Sequence, residues 1–238
     1  MSDPRFSVTL PVYCQAGHIA GVVNGYVQLL DEKGLDYELI LVVNGPLEDG
    51  SLDVCNHLAE ANERVRTIHE KHAGWGSAVR TGLRESRGEL VCYTNSARTA
   101  ASDLAAVMRH SLAFSDCVIK ATRKSRAGFT RRLGSLLYNL QCRTFFDLPY
   151  WDINGTPKLF PRKFSELFKL TEDGDLVDLE FCALCRQELY PIVEWPTLLS
   201  HRHSGATTTN LKTALNLYIG AFRMKQRFDI APHPESNA

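Results

Sequence analysis

Arginines in an acid-free stretch are the first chemistry the chain offers. Lys120, Arg123, Lys124, Arg126, Arg131 and Arg132 follow one another with no Asp or Glu between them. A guanidinium matches phosphate oxygens in a two-pronged fashion, so such a run suits a phosphate-bearing ligand. The plain alternative is a solvated basic face. Further on, His201 and His203 bracket Arg202. Imidazoles at that spacing suit phosphate when protonated, or a soft metal. No acid or Cys adjoins them in the sequence, which favours a polar loop over a metal site. Cys182-Ala-Leu-Cys185 has the spacing of a redox or metal pair, but no second pair accompanies it. Ordinary helix packing is the expectation there.

The elements that must carry these groups can be read from apolar periodicity. Strands are expected at Phe6 to Val12, Glu38 to Val43, Val65 to Ile68, Leu90 to Thr94 and Cys117 to Thr122. Helical spacing fills the intervals: Gly17 to Leu30, Gly50 to Ala61, Gly74 to Glu85, and a helix that Ser102 caps and that runs through Ala113. Near-continuous apolar strands alternating with helices predict an α/β fold with a mostly parallel, Rossmann-like sheet flanked by helices. Ligands of such sheets bind beyond the carboxyl ends of the strands, which points to the loops after Val12, Val43, Ile68 and Thr94. Past residue 125 the pattern shifts to the amphipathic segment Thr130 to Phe146, helix Leu176 to Leu189, strand Ile192 to Trp195 and helix Leu211 to Arg227. The amphipathic stripes suit either the core or an anionic membrane interface.

Composition sets the outer limits. In 238 residues there are 27 Lys+Arg and 27 Asp+Glu, so the formal net charge is zero, which argues against a nucleic-acid partner. Hydrophobic residues at 44% and charged residues at 23% describe a globular chain rather than a disordered one. A single domain over residues 1–230, with a flexible tail over 231–238, is expected. Seven cysteines, an odd number scattered through apolar runs, do not form a disulfide framework. No signal-peptide profile and no apolar run of about 20 residues is present. A cytoplasmic setting follows, with the inner face of a membrane as its variant. The first strand is followed by Tyr13-Cys14-Gln15-Ala16-Gly17, without the GxGxxG of a dinucleotide-dependent oxidoreductase.

The loops resemble those of glycosyltransferase family 2, the nucleotide-diphosphosugar transferases, and within it the dolichol-phosphate-mannose-synthase type. Leu10-Pro11-Val12-Tyr13 is similar to the family's Pro-x-Tyr-Asn-Glu, with Cys14 and Gln15 in place of Asn-Glu. Val42-Val43-Asn44-Gly45 through Asp49-Gly50-Ser51 is similar to Val-Asp-Asp-Gly-Ser-x-Asp-Gly-Thr. Gly74-Trp75-Gly76-Ser77-Ala78-Val79-Arg80-Thr81-Gly82 is similar to Gly-Lys-Gly-x-Ala-x-Arg-x-Gly. Arg123 to Ser135, Asp152 to Arg162, Gly174 to Pro196 and Arg202 to Gly205 resemble the later blocks, in the same order.

This resemblance implies a GT-A-type fold with C-terminal amphipathic helices, and transfer of a sugar from a nucleotide sugar with inversion. It implies that Pro11, Tyr13, Asn44, Gly74, Gly76, Arg80, Asn95, Ser96, Ala97 and Arg98 line the nucleotide-sugar site. The family's Asp-x-Asp, which holds Mg2+ or Mn2+ against the diphosphate, is here Asn95-Ser96-Ala97. Hard cations want carboxylate oxygens, so no metal ligands are assigned. Arg98, Arg123, Arg131, Arg132 and Arg202 are the groups that can take over charge stabilisation. Of the acids that match family blocks, Asp178 and Glu180 lie two apart on a helix and do not share a face. Asp152, beside Asn154-Gly155, is the better base, with a turn hydrogen bond as its plain role. Asp152, Arg123, Arg131 and Arg202 are thus the expected catalytic residues, and Arg132, Ser135 and Asn154 the expected acceptor contacts. The expected acceptor is a polyprenyl or other lipid phosphate, reached by peripheral membrane contact. The alternative is a catalytically inactive sugar-nucleotide-binding protein on the same fold.

Overall fold

The computed structural model describes residues 3–45, 47–123, 129–197 and 211–228. In the two helices that begin at 129 and 211, the first five residues are described by backbone alone.

Among the described residues, seven strands form one sheet. They are β1 (Phe6–Val12), β2 (Tyr37–Asn44), β3 (Val65–Glu70), β4 (Leu90–Tyr93), β5 (Val118–Arg123), β6 (Lys158–Pro161) and β7 (Ile192–Thr197). Their order is β3-β2-β1-β4-β6-β5-β7. All pairings are parallel except those of β6, which runs antiparallel to both β4 and β5. The mostly parallel α/β sheet expected from the sequence is present. The antiparallel strand inside the DINGTPKLFPR run was not foreseen, because four residues are too few for a periodicity signal.

Seven α-helices among the described residues cover the sheet: α1 (Ile19–Glu32), α2 (Ser51–Ala61), α3 (Trp75–Glu85), α4 (Ala101–Ala113), α5 (Phe129–Phe146), α6 (Val177–Gln187) and α7 (Leu211–Lys225). Ser102 does not cap α4 as expected. It lies inside the first turn, the cap position is Ala100, and no side chain caps the helix. Asp103 does lie in that turn, where a carboxylate suits the helix dipole.

Successive residues of each strand face opposite sides, so the strands feed two cores. Val8, Leu10 and Val12 of β1 pack with Ile19 and Val23 of α1 and Val107 and Met108 of α4. Val91 and Tyr93 of β4 and Phe160 of β6 face the other way, toward Val79 of α3, Phe146 of α5 and Phe181 of α6. Cys182 and Cys185 are buried free thiols in this second core, so the CxxC spacing is helix packing. Helix α3 lies close on β1 because Gly82 has no side chain; a Cβ there would collide with Thr9.

Helices α5 and α7 pack on each other through Tyr138 against Tyr218 and Phe145 against Phe222. Their outer faces leave Leu136, Leu137, Leu140, Ile219 and Phe222 exposed.

Candidate functional site

The loops at the carboxyl ends of β1, β2, β3 and β4 are joined by side-chain hydrogen bonds into one rim. After β1, the Gln15 amide donates to Ser51 Oγ at 2.8 Å, and Ser96 Oγ donates to Gln15 Oε1 at 2.7 Å. The Ser96 hydroxyl also lies 3.2 Å from the Pro11 carbonyl. Asp49 accepts from the Ser51 amide and hydroxyl and from the Ala16 amide. Burial works against the Asp49 charge, but these donors outweigh it and lower its carboxyl below the ordinary carboxylate value. At the turn after β2, Gly45 has φ of +104°, and the half-exposed Tyr13 ring fills the space its Cβ would take.

Asn44, the last residue of β2, is 4% exposed. Its Nδ2 donates to the Gly74 carbonyl at 2.6 Å. Its Oδ1 is buried and has no hydrogen-bond partner among the described residues. The amide is therefore fixed with its acceptor unused. Gly74 and Gly76 lie at the start of α3 under the Glu172–Asp173 backbone, and a Cβ on either would run into a carbonyl oxygen. The Ser77 amide donates to the Asp173 carbonyl at 3.0 Å, and the Arg80 guanidinium joins the Thr171 carbonyl and the Asp173 carboxylate. Glu180 accepts from the Thr171 amide and hydroxyl and the Glu172 amide. Thus Arg80 and Glu180 both hold the 171–173 loop over the glycines.

At the end of β4, Asn95 Oδ1 accepts the Ala97 amide at 3.0 Å, and the Asn95 carbonyl accepts the amides of Arg98 and Thr99. Ala97 offers no ligand atom, Ser96 is spent on Pro11 and Gln15, and Asn95 is neutral. Among the described residues no group of three or more His, Cys, Asp or Glu is placed to hold a metal ion. The donor set at this strand end does not fit a hard divalent cation.

The other side of the crevice is charged. Asp152 is buried and has φ of +50°. Arg123 donates to it three times: backbone N to Oδ2 at 3.0 Å, Nε to Oδ2 at 2.7 Å and Nη2 to Oδ1 at 2.5 Å. Burial tends to lower the Arg123 pKa, yet the Asp152 hydrogen bonds and charge raise it. The structure thus brings two sequence-expected residues together, in a pair that occupies both. Lys120 does not belong to the basic face assigned to it from sequence. It is fully buried, and its Nζ contacts the Trp151 carbonyl at 2.6 Å and Glu194 Oε1 at 3.0 Å. Strand alternation turns it inward, where Glu194 of β7 meets it.

Ser135 accepts from Asn139 Nδ2 through its carbonyl and hydroxyl, and Asn139 Oδ1 accepts the Ile153 amide. Asn154 Oδ1 is buried without a partner among the described residues. The side chains of Arg131 and Arg132, and the whole segment with His201, Arg202 and His203, lie outside the described residues.

Sequence reasoning missed two groups. Lys158 is fully buried at the start of β6 and pairs with Asp178 of α6, which also accepts from Tyr93 Oη at 2.9 Å and Trp75 Nε1 at 3.2 Å. A lysine followed directly by Leu159-Phe160 is the signal that could have found it, since buried charge demands a partner. Asp175, just before α6, has its surface open to solvent but protein around most of it. That partial burial, followed by the nearby Asp178 charge, raises its carboxyl pKa. Its position one residue after Gly174 gave no periodic cue.

A family model described as Glycosyl transferase family 2 matches residues 7–188. The chain is 29% identical over 92 residues to the glycosyltransferase EpsJ of Bacillus subtilis (strain 168), covering 39% of this chain and 26% of that protein. It is 27% identical over 94 residues to glycosyltransferase GlyA of Streptococcus pneumoniae serotype 4, covering 40% of this chain and 13% of that one. The matches therefore span about a quarter or less of these relatives' length. Among solved structures, glucosyl-3-phosphoglycerate synthase from Mycobacterium tuberculosis in complex with UDP has a TM-score of 0.68 at 15% identity, covering 97% of this chain and 82% of that one. The same enzyme in complex with Mn2+, UDP and phosphoglyceric acid gives 0.70 at 16% identity, covering 97% and 80%. At such identity the likeness is one of fold.

Proposed function

The chain belongs to glycosyl transferase family 2, and from that premise we propose that it transfers a sugar from a nucleoside diphosphate sugar to a phosphate-bearing acceptor. The observation that carries the reading is the fixed amide of Asn44. With Nδ2 held by the Gly74 carbonyl, the unpartnered Oδ1 is the acceptor we assign to a ring N–H of the donor's base, which must displace the atoms that cover it. Uracil, thymine and guanine offer such an N–H; cytosine offers an acceptor there and is disfavoured.

The leaving diphosphate needs positive charge as the sugar departs. Carboxylate ligands for a cation are missing at the β4 end, so arginines are the proposed source. Arg80 and Arg123 are engaged by Asp173 and Asp152. Arg98, Arg131, Arg132 and Arg202 are the arginines we assign to that role, with inversion at the sugar carbon. A lipid phosphate is the proposed acceptor, because it is already anionic near neutral pH and needs no strong base. Helices α5 and α7 support a peripheral membrane contact: neither contains an acidic residue, and both expose large apolar side chains. No helix among the described residues is long and apolar enough to cross a membrane.

Incubation with UDP-, GDP-, TDP- and CDP-sugars, with and without EDTA, tests the reading. Release of UDP, TDP or GDP that survives EDTA is expected, with no release from CDP-sugars. Metal-dependent release alone would overturn the arginine assignment. A second reading, a non-catalytic binder, rests on the neutral Asn44 and Asn95. It predicts calorimetric nucleotide binding with no turnover under any condition.

A further inference from the structure

The most unusual construction outside the residues used so far is the hub around Asp178. Its carboxylate gathers donors from three elements: Trp75 Nε1 from α3 at 3.2 Å, Tyr93 Oη from β4 at 2.9 Å, and the Lys158 ammonium from β6. The ammonium also lies 5.4 Å from the Tyr93 ring centre and 5.7 Å from that of Phe181. Tyr93 and Lys158 are fully buried and Asp178 is 4% exposed. Only Trp75 reaches the surface.

A buried ion pair is weak support for stability, because apolar side chains of similar volume often do as well. Its value lies in holding geometry. Here the single group it holds at the surface is an indole ring, set edge-on to Tyr93 at 6.4 Å with 63° between the planes. The flanking residues, Gly74 and Gly76, have no side chains to share the position. The Gly74 carbonyl, next to Trp75 in the chain, is the group that orients Asn44. The ring is thus carried by the residue that follows Gly74, whose carbonyl fixes the amide proposed to read a base edge.

We propose that Trp75 is a stacking wall for the base of the donor nucleotide, and that Asp178 and Lys158 are positioning residues acting through it. The inference rests on the donor-site reading above and names a specificity element within it. Stacking on an aromatic face is tolerant of base identity, so Trp75 supplies affinity while Asn44 supplies choice.

The test uses the full chain and UDP as probe. With Trp151 and Trp195 changed to Phe, Trp75 is the one tryptophan left. Saturable quenching of its emission by UDP is expected. Trp75→Ala should weaken UDP binding in calorimetry by roughly tenfold or more. Trp75→Phe, which keeps a ring but loses the N–H, should lose less. The double change Lys158→Met with Asp178→Leu removes the ion pair without stranding a charge. It should stay folded, raise KM for the donor with kcat little changed, and lower the anisotropy of Trp75 emission. Equal UDP affinity in Trp75→Ala and the parent would overturn the wall while leaving the donor site standing. Unaltered KM and anisotropy in the folded double variant would overturn the positioning role. A parent chain that binds no UDP, GDP or TDP would bring down the donor-site reading and this inference with it.

Discussion

The two sides of the crevice solve the same task by opposite means. On the β3-β2-β1-β4 side, the rim is built from neutral amides and hydroxyls: Asn44, Gln15, Ser51, Ser96 and Asn95. Asp49 is an acid within this rim, and its oxygens are spent on Ser51 and Ala16. On the β6-β5-β7 side, charges are buried in pairs: Arg123 with Asp152, Lys120 with Glu194, Lys158 with Asp178. The first side depends on shape and fixed dipoles, with few charges to lose. The second holds its electrostatics in place before any ligand arrives, and is correspondingly fragile to single changes.

Breaking one pair should give the largest effect. Asp152→Ala leaves Arg123 without its counter-charge and is expected to cost about 3–5 kcal/mol. At roughly 2–4 °C per kcal/mol for a chain of this size, the thermal midpoint should fall by at least about 6 °C. Arg123→Met with Asp152→Asn, which keeps a residue type that tolerates the positive φ of position 152, should recover most of that loss. A single variant that melts with the parent would show that the charged side is no more fragile than the neutral one.

On the neutral side, the close approach of backbone is the weak point. Gly76→Ala forces a methyl against the Glu172 carbonyl and should cost about 1–3 kcal/mol by chemical denaturation. Gly174→Ala, with open space at its Cβ, is the control and should be near neutral. A smaller effect sharpens the contrast by adding charge where it is missing. Asn95→Asp with Ala97→Asp should leave the melting midpoint almost unmoved. It should create a weak Mn2+ site in calorimetry, with Kd of about 10⁻³ M or tighter.

The smallest effect is a pH limb. Asp49 has a folded pKa below its unfolded value. Its stabilisation is therefore complete above the ordinary carboxylate range and is lost as pH falls through the folded value. Asp49→Asn should lower stability slightly near neutrality and flatten the acid end of the stability-pH curve, meeting the parent at low pH.

The neutral side was far more legible in the sequence than the charged one. Strands β1, β2 and β4 are continuous apolar runs, and the turns at Asn44-Gly45 and Gly74 announce themselves by residue type. Loop placement followed directly. The charged side resists such reading because its pairs join residues 29, 74 and 20 positions apart, and nothing local marks Arg123 as the partner of Asp152. Lys120 looked like one more member of a basic run; only its register in β5 sends it inward. The stripe on α5 stayed open between core and interface in the sequence, since Leu136 and Leu140 share a helical spacing that serves both.

The short strand β6 carries a consequence for how the chain is made. Without Lys158–Pro161, the sheet falls into two hydrogen-bonded blocks, β3-β2-β1-β4 and β5-β7. While the polypeptide emerges from the ribosome, the outer edge of β4 stays unpaired from residue 93 until residue 161 is clear. Once residue 123 has emerged, β5 is an extended segment able to add to it. A nascent chain stalled before β6 is thus the species most exposed to mispairing and to chaperone capture. Four residues act as the keystone that closes that window.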